Sequence, residues 1–128
     1  MLENLFKSEQ TQDAQDIQWE VLDTIEQISQ ILIESKSQPV LIFKHSTRCG
    51  TSAMALDRLQ RKWHGEEMKQ VKPYYLDLIS FRQVSNQIAD QFDVWHQSPQ
   101  VLLIKDGQCV YDASHLSISY EVLKYKIG

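Results

Sequence analysis

Apolar and polar positions recur along this chain with two periods, and the pattern divides it into nine elements. Ile17 to Leu22 alternates apolar and polar side chains at its start, the period of a half-covered strand. Thr24-x-x-Gln27 has capping-box spacing and opens a helix carrying Ile25, Ile28, Leu32 and Ile33, ending near Ser35. Val40 to Phe43 is a continuous apolar run bounded by Pro39, which suits a strand covered on both faces. A helical stripe of Ala55 or Leu56, Leu59 and Trp63 follows between Ala53 and His64 and stops near Gly65. Val71 to Leu78 reads as a third strand, with Pro73 near its start. Ser80-x-x-Gln83 repeats the capping-box spacing ahead of Phe81, Val84, Ile88 and Phe92. Val101 to Ile104 and Gln108 to Asp112 are strands joined by Asp106-Gly107, the strongest short hairpin signal in the chain. Ser117 or Ser119 caps a last helix with Ile118, Val122 and Tyr125 on its stripe.

The order is therefore β-α-β-α-β-α-β-β-α. A parallel βαβ half joins an antiparallel ββα half, with helices on both faces. This predicts an α/β fold of the thioredoxin-like kind: three layers, α/β/α, around a mixed central sheet. The chain has 128 residues, which suits one domain. Residues 1–14 are read as a polar lead-in with a short helical turn at Leu2, Leu5 and Phe6, and residues 15–128 as a single domain. In this layout the proline just before the hairpin takes the cis form, so a cis bond is expected at Pro99. Ser98 then offers its backbone edge to an extended substrate segment.

The chemistry concentrates in Lys44-His45-Ser46-Thr47-Arg48-Cys49-Gly50-Thr51-Ser52, between the second strand and its helix. Cys49 is placed at the helix N-terminus, where unpaired N–H groups and the positive end of the dipole favour a thiolate. Cys49-x-x-Ser52 has the spacing of a redox C-x-x-C motif with serine in place of the second cysteine. One thiol can attack a disulfide, and no local thiol can resolve the product. Arg48 and His45 bring positive or polarisable groups to the same turn, with Thr47 between the two. Lys44 ends the apolar strand with its head group near the site. Ser52 either touches the sulfur or is an ordinary helix residue. Phe43 stands six residues before Cys49, where thioredoxins carry a buried acid, so that proton-handling group is missing. Cys109 follows the hairpin turn and is read as a structural thiol remote from Cys49. His64, His96 and His115 are dispersed and show no metal-ligand spacing. Trp19, Trp63 and Trp95 are assigned to core or edge packing.

Composition narrows the partners. The net charge is −4 and the pI about 5.5, with no basic patch, which argues against nucleic acid and anionic membrane. No run approaches the ~18 apolar residues of a membrane span, and the N-terminal stretch has no apolar signal core. With two cysteines and no disulfide framework, a reducing cytoplasm is expected.

Phe43-Lys44-His45-Ser46-Thr47-Arg48-Cys49 with Ser52, Arg82-x-x-Ser85-Asn86, His96-x-Ser98-Pro99-Gln100 and Ser114-His115 together resemble the monothiol bacilliredoxins. These are the YtxJ-type proteins of the bacillithiol system, within the thioredoxin-like superfamily. The element order extends the resemblance from about Trp19 to the C-terminus. Gly50-Thr51 departs from the family's Pro-Ile and leaves the first helical turn more mobile. The resemblance implies a thiol–disulfide oxidoreductase that removes bacillithiol from S-thiolated client proteins through Cys49. It implies the low-molecular-weight thiol as co-substrate, no tightly bound cofactor, and a monomer. Two other readings stay open. Cys49-Gly50-x-Ser52 is one residue away from the Cys-Gly-Phe-Ser of monothiol glutaredoxins that bind an iron–sulfur cluster, although the Thr-Val-Pro and Gly-Gly-x-Asp segments of that class are lacking. A redox-inert thioredoxin-fold adaptor is the other.

Overall fold

Every side chain from Val40 to His45 is buried, as the middle strand of a covered sheet requires. This strand, β2 (Val40–His45), pairs parallel with β3 (Lys72–Asp77) on one side and antiparallel with β4 (Gln100–Lys105) on the other. The short β1 (Glu20–Val21) flanks β3, and β5 (Gln108–Ser114) flanks β4, giving the order β1-β3-β2-β4-β5. The computed structural model describes residues 17–128; the lead-in expected over residues 1–14 lies outside the described residues.

The two-residue period of β2 sorts the core into two layers. Leu41 and Phe43 face α2 (Gly50–Lys62) and α4 (Tyr120–Ile127), where they meet Ala55, Leu59, Tyr120 and Leu123. Val40 and Ile42 face α1 (Glu26–Glu34) and α3 (Arg82–Phe92), where they meet Ile28, Ile31, Val84 and Ile88. Each large apolar side chain removed from water in this way contributes roughly 1.5–3 kcal/mol. The expected three-layer α/β/α arrangement and mixed sheet are present.

Pro73 fits inside β3 for a reason visible in the pairing. The Lys72 N–H points to β2, where it donates to Pro39 O at 2.9 Å. Successive N–H groups alternate sides, so the missing N–H of Pro73 faces the other side. There β1 pairs only with Tyr74 and Tyr75, and no ladder bond is lost. Asp106 (φ 51°) and Gly107 (φ 75°) both take left-handed conformations in the β4–β5 turn, as a type I′ hairpin requires.

Four expectations need correction. The strand expected from Ile17 to Leu22 is only two residues long, because β3 is paired there solely at Tyr74 and Tyr75. The first capping box forms in half: Gln27 Oε1 accepts from Thr24 N–H at 2.9 Å. The second does not form. Asp77, from the end of β3, accepts from Ile79 and Ser80 N–H and receives the Ser80 hydroxyl, so Ser80 is held outside the helix. Ser119 caps α4 through Val122 N–H, but the buried side chains of that helix are Tyr120 and Leu123. Val122 and Tyr125 lie outward, one step out of phase with the expected stripe, because the helix begins only after Ser119.

Candidate active site

β2 ends at His45, and a three-residue turn carries the chain to Cys49, the N-cap of α2. Its backbone is extended (φ −114°, ψ 119°). The Cys49 N–H donates to Ser46 O at 3.2 Å, and its carbonyl accepts from Ala53 N–H at 3.1 Å. The sulfur-bearing residue is half-buried, with Thr47, Arg48 and Gly50 exposed around it. Thus the expected position at the N-terminus of the helix after the second strand is the one observed.

Ser52 is fully buried one turn into α2. Its hydroxyl oxygen accepts from Ser46 N–H at 3.0 Å and lies 2.7 Å from His45 Nδ1. These bonds tie the turn's entry to the helix that follows it. Ser52 is thus neither an ordinary surface helix residue nor, in its hydrogen bonds, a partner of the sulfur. His45 sits between Phe43 and Tyr75, with ring centroids at 6.2 and 5.6 Å. Burial holds its imidazole below the ordinary histidine range, and the nearby Asp77 carboxylate only partly offsets this.

Lys44 points to the opposite face of the sheet from His45 and is completely buried. Its Nζ donates to Ser85 O at 3.1 Å and lies 3.4 Å from His96 Nδ1. Burial, with a smaller effect from the Arg82 charge, lowers its pKa to about 8. His96 Nδ1 is also 3.2 Å from Ser85 Oγ, and its Nε2 is 3.4 Å from Arg82 Nη1. Burial lowers the His96 pKa first, and the Lys44 and Arg82 charges lower it further. Gln100 pairs across the sheet with Lys44; its amide donates to Trp95 O at 2.9 Å, while its buried Oε1 has no partner among the described residues.

This second cluster was not legible as chemistry in the sequence, where His96 counted as one of several dispersed histidines. The only signal lay in the matching stretches themselves, since Arg82, Ser85, His96 and Gln100 all fall within them. Trp95 is corrected too. It is 90% exposed beside this loop and packs into neither core layer nor sheet edge.

The Ser98–Pro99 peptide bond is cis, as expected. Pro99 O accepts from His115 N–H at 3.0 Å, which anchors the loop from behind. The Ser98 hydroxyl oxygen is buried without a partner among the described residues. Cys109 is a free thiol at the far end of the sheet. It pairs with Ile104, which pairs with Val40, whereas Cys49 follows His45. The length of β2 alone, about 17 Å at ~3.3 Å per residue, therefore separates the two sulfurs' ends of the sheet. Burial pushes the Cys109 thiol up to about 11, and it donates to Tyr111 O at 3.3 Å.

Solved structures of similar fold agree with this architecture. A solved structure described as a candidate oxidoreductase with a thioredoxin fold aligns with a TM-score of 0.68 and 29% identity, covering 82% of this chain and 89% of that one. Thioredoxin from Fasciola hepatica aligns with a TM-score of 0.65 at 18% identity, over 84% and 94% of the two chains. Thioredoxin from Malassezia sympodialis does so with a TM-score of 0.65 at 16% identity, over 89% and 90%. These two show the fold alone. The profile of the monothiol bacilliredoxin family BrxC matches residues 20–123, and the chain belongs to that family, a monothiol thiol–disulfide oxidoreductase on a thioredoxin fold.

Proposed function

We propose that this protein removes bacillithiol from S-thiolated client proteins, with Cys49 as the single nucleophile. The observation that carries the reading is the isolation of the thiol. Cys49 is the N-cap residue of α2 at the end of the sheet where the cis-Pro99 loop also enters, the C-x-x-C partner position is a buried serine bonded elsewhere, and Cys109 lies at the other end of the sheet. The Cys49 thiolate attacks the bacillithiol sulfur of the mixed disulfide. The S–S bond breaks, its electron pair leaves on the client sulfur, and the client thiol is freed. Cys49 then carries bacillithiol as its own mixed disulfide; a free low-molecular-weight thiolate attacks the bacillithiol sulfur, the two small thiols leave as a disulfide, and the Cys49 thiolate is restored.

The neighbouring residues take supporting roles in this reading. Exposed Arg48 attracts the anionic groups of the small thiol, and Thr47 shapes the approach. His45 and Ser52 hold the turn that sets Cys49 at the N-terminus of α2, where the positive end of the helix dipole favours a thiolate. Ser98, held ahead of cis-Pro99, presents its backbone edge to the client segment. Lys44 lies behind that loop and acts through it. Such a cycle suits the reducing cytoplasm, where protein thiols are kept free.

The test is intact mass spectrometry after mixing the protein with bacillithiolated and, separately, glutathionylated model proteins. Transfer of the bacillithiol adduct alone to Cys49, with release of the client and none in Cys49→Ser, supports the proposal. Equal transfer of both adducts would make this a general monothiol redoxin. If neither adduct forms, Cys49 is not the nucleophile and the proposal falls.

A further inference from the structure

Lys44, His96 and Arg82 form a line of nitrogen contacts in which one imidazole stands between two cationic side chains. No carboxylate pairs with either cation among the described residues. The groups that face Lys44 are Ser85 and Arg82 from α3, His96 from the loop, and Gln100 from β4; its neighbour in β3 is Leu76. An arginine only donates hydrogen bonds. If Arg82 donates to Nε2, the His96 proton is on Nδ1, and Nδ1–H can donate to Lys44 only when the amine is neutral. If Lys44 is an ammonium donating to Nδ1, the proton is on Nε2. The same heavy-atom positions thus fit two arrangements that differ by one proton on Lys44 and by the imidazole tautomer. An imidazolium suits neither, lying between two cations.

The line also leads somewhere. It starts at a buried amine at the end of β2 and reaches the partly exposed ring of His96, three residues before cis-Pro99. β2 and β4 run antiparallel with Lys44 opposite Gln100, so the Cys49 turn and the His96–Pro99 loop leave the sheet at the same end. We infer that Lys44 and His96 are a proton-exchanging couple that protonates the client thiolate leaving at the cis-Pro99 edge, a role for the site that rests on Cys49 being the nucleophile.

The step balances as follows. Attack by the Cys49 thiolate expels the client sulfur as a thiolate. That thiolate takes the proton from His96 Nε2, while Nδ1 takes one from the Lys44 ammonium. The client leaves as a thiol, Lys44 is left a neutral amine, and Arg82 donates to the vacated Nε2. A proton from water restores the ammonium through the same ring. The amine's pKa, lowered toward neutrality, lets both states be reached near pH 8. The couple thereby supplies the proton-handling group that Phe43 cannot, from the opposite face of the sheet.

The experiment compares two leaving groups. One peptide is prepared with either cysteine or an aryl thiol of lower pKa, each disulfide-linked to bacillithiol. Single-turnover rates of transfer to Cys49 are measured in the full-length protein, in His96→Gln, in Lys44→Met and in the double variant. An aryl thiolate needs no proton to leave, so the cysteine-to-aryl rate ratio isolates acid assistance. General acid catalysis is typically worth ~100-fold or more. The ratio is expected to fall at least fivefold in each single variant and no further in the double, since the two residues act as a unit. A smaller fall in His96→Gln overturns the inference, and His96 is half-exposed, so that variant folds even where Lys44→Met does not. Distortion of the site slows both peptides alike and leaves the ratio unchanged. If the wild-type protein accepts bacillithiol from neither peptide, Cys49 is not the nucleophile, and both readings fall together.

Discussion

Replacing Lys44 with methionine should invert the pH dependence of stability on the alkaline side of neutrality. The lysine is fully buried, and its pKa falls from 10.5 in the unfolded chain to about 8 in the fold. Between those two values the unfolded chain binds the extra proton, so native stability rises as pH increases. With those pKa values the linkage relation gives a gain of about 2 kcal/mol between pH 7 and pH 9.5. Methionine fills a similar volume without a charge and lacks this gain. Cys109, pushed up to about 11, and the raised tyrosines work in the opposite direction, but they do so in both proteins and cancel in the difference. His45 and His96 are lowered from 6.5, so their contribution is lost only as pH falls through that value, below the window used. The assay is urea unfolding of both proteins at half-unit steps from pH 7 to 9.5. Methionine also leaves Ser85 O and His96 Nδ1 without the amine, at about 1–3 kcal/mol, so the two curves are offset as well as differently sloped. A stability difference that stays constant within about 0.5 kcal/mol across the window would show that the Lys44 ammonium is not desolvated by the fold.

Two further substitutions probe the turn that holds Cys49. Ser52→Ala removes the oxygen that serves both Ser46 N–H and His45 in a buried site, and should cost about 2 kcal/mol in urea unfolding; a loss under about 0.5 kcal/mol would mean water takes its place. Gly50→Pro should stabilise the fold by about 1 kcal/mol, or roughly 4 °C in Tm. Gly50 is the first residue of α2, a Cβ there meets nothing within 4 Å, and Cys49 before it is already in the extended conformation a following proline requires. A lower Tm in calorimetry would refute this.

Hydrophobic periodicity with turn chemistry determined the element order, the buried run of β2 and the hairpin at Asp106-Gly107, because each is a local match between residue type and backbone geometry. It also placed Cys49 at a strand–helix junction, since an apolar run and a helical stripe meet there. What it missed are relations between segments far apart in the chain. The length of β1 depends on where β3 is free to pair. The turn ahead of α3 is held by Asp77 at the end of a strand, which takes Ser80 out of the capping role that Ser80-x-x-Gln83 suggested. Trp95 is exposed in the loop ahead of cis-Pro99, where no other described segment packs over it. Above all, Lys44 and His96 are 52 residues apart in sequence, and nothing local links them. Only sheet register, which sets Lys44 opposite Gln100 and under α3, brings an amine, an imidazole and a guanidinium into one line. A strand's alternation says which side chains share a face; the packing of the other chain segments against that face decides what those side chains meet.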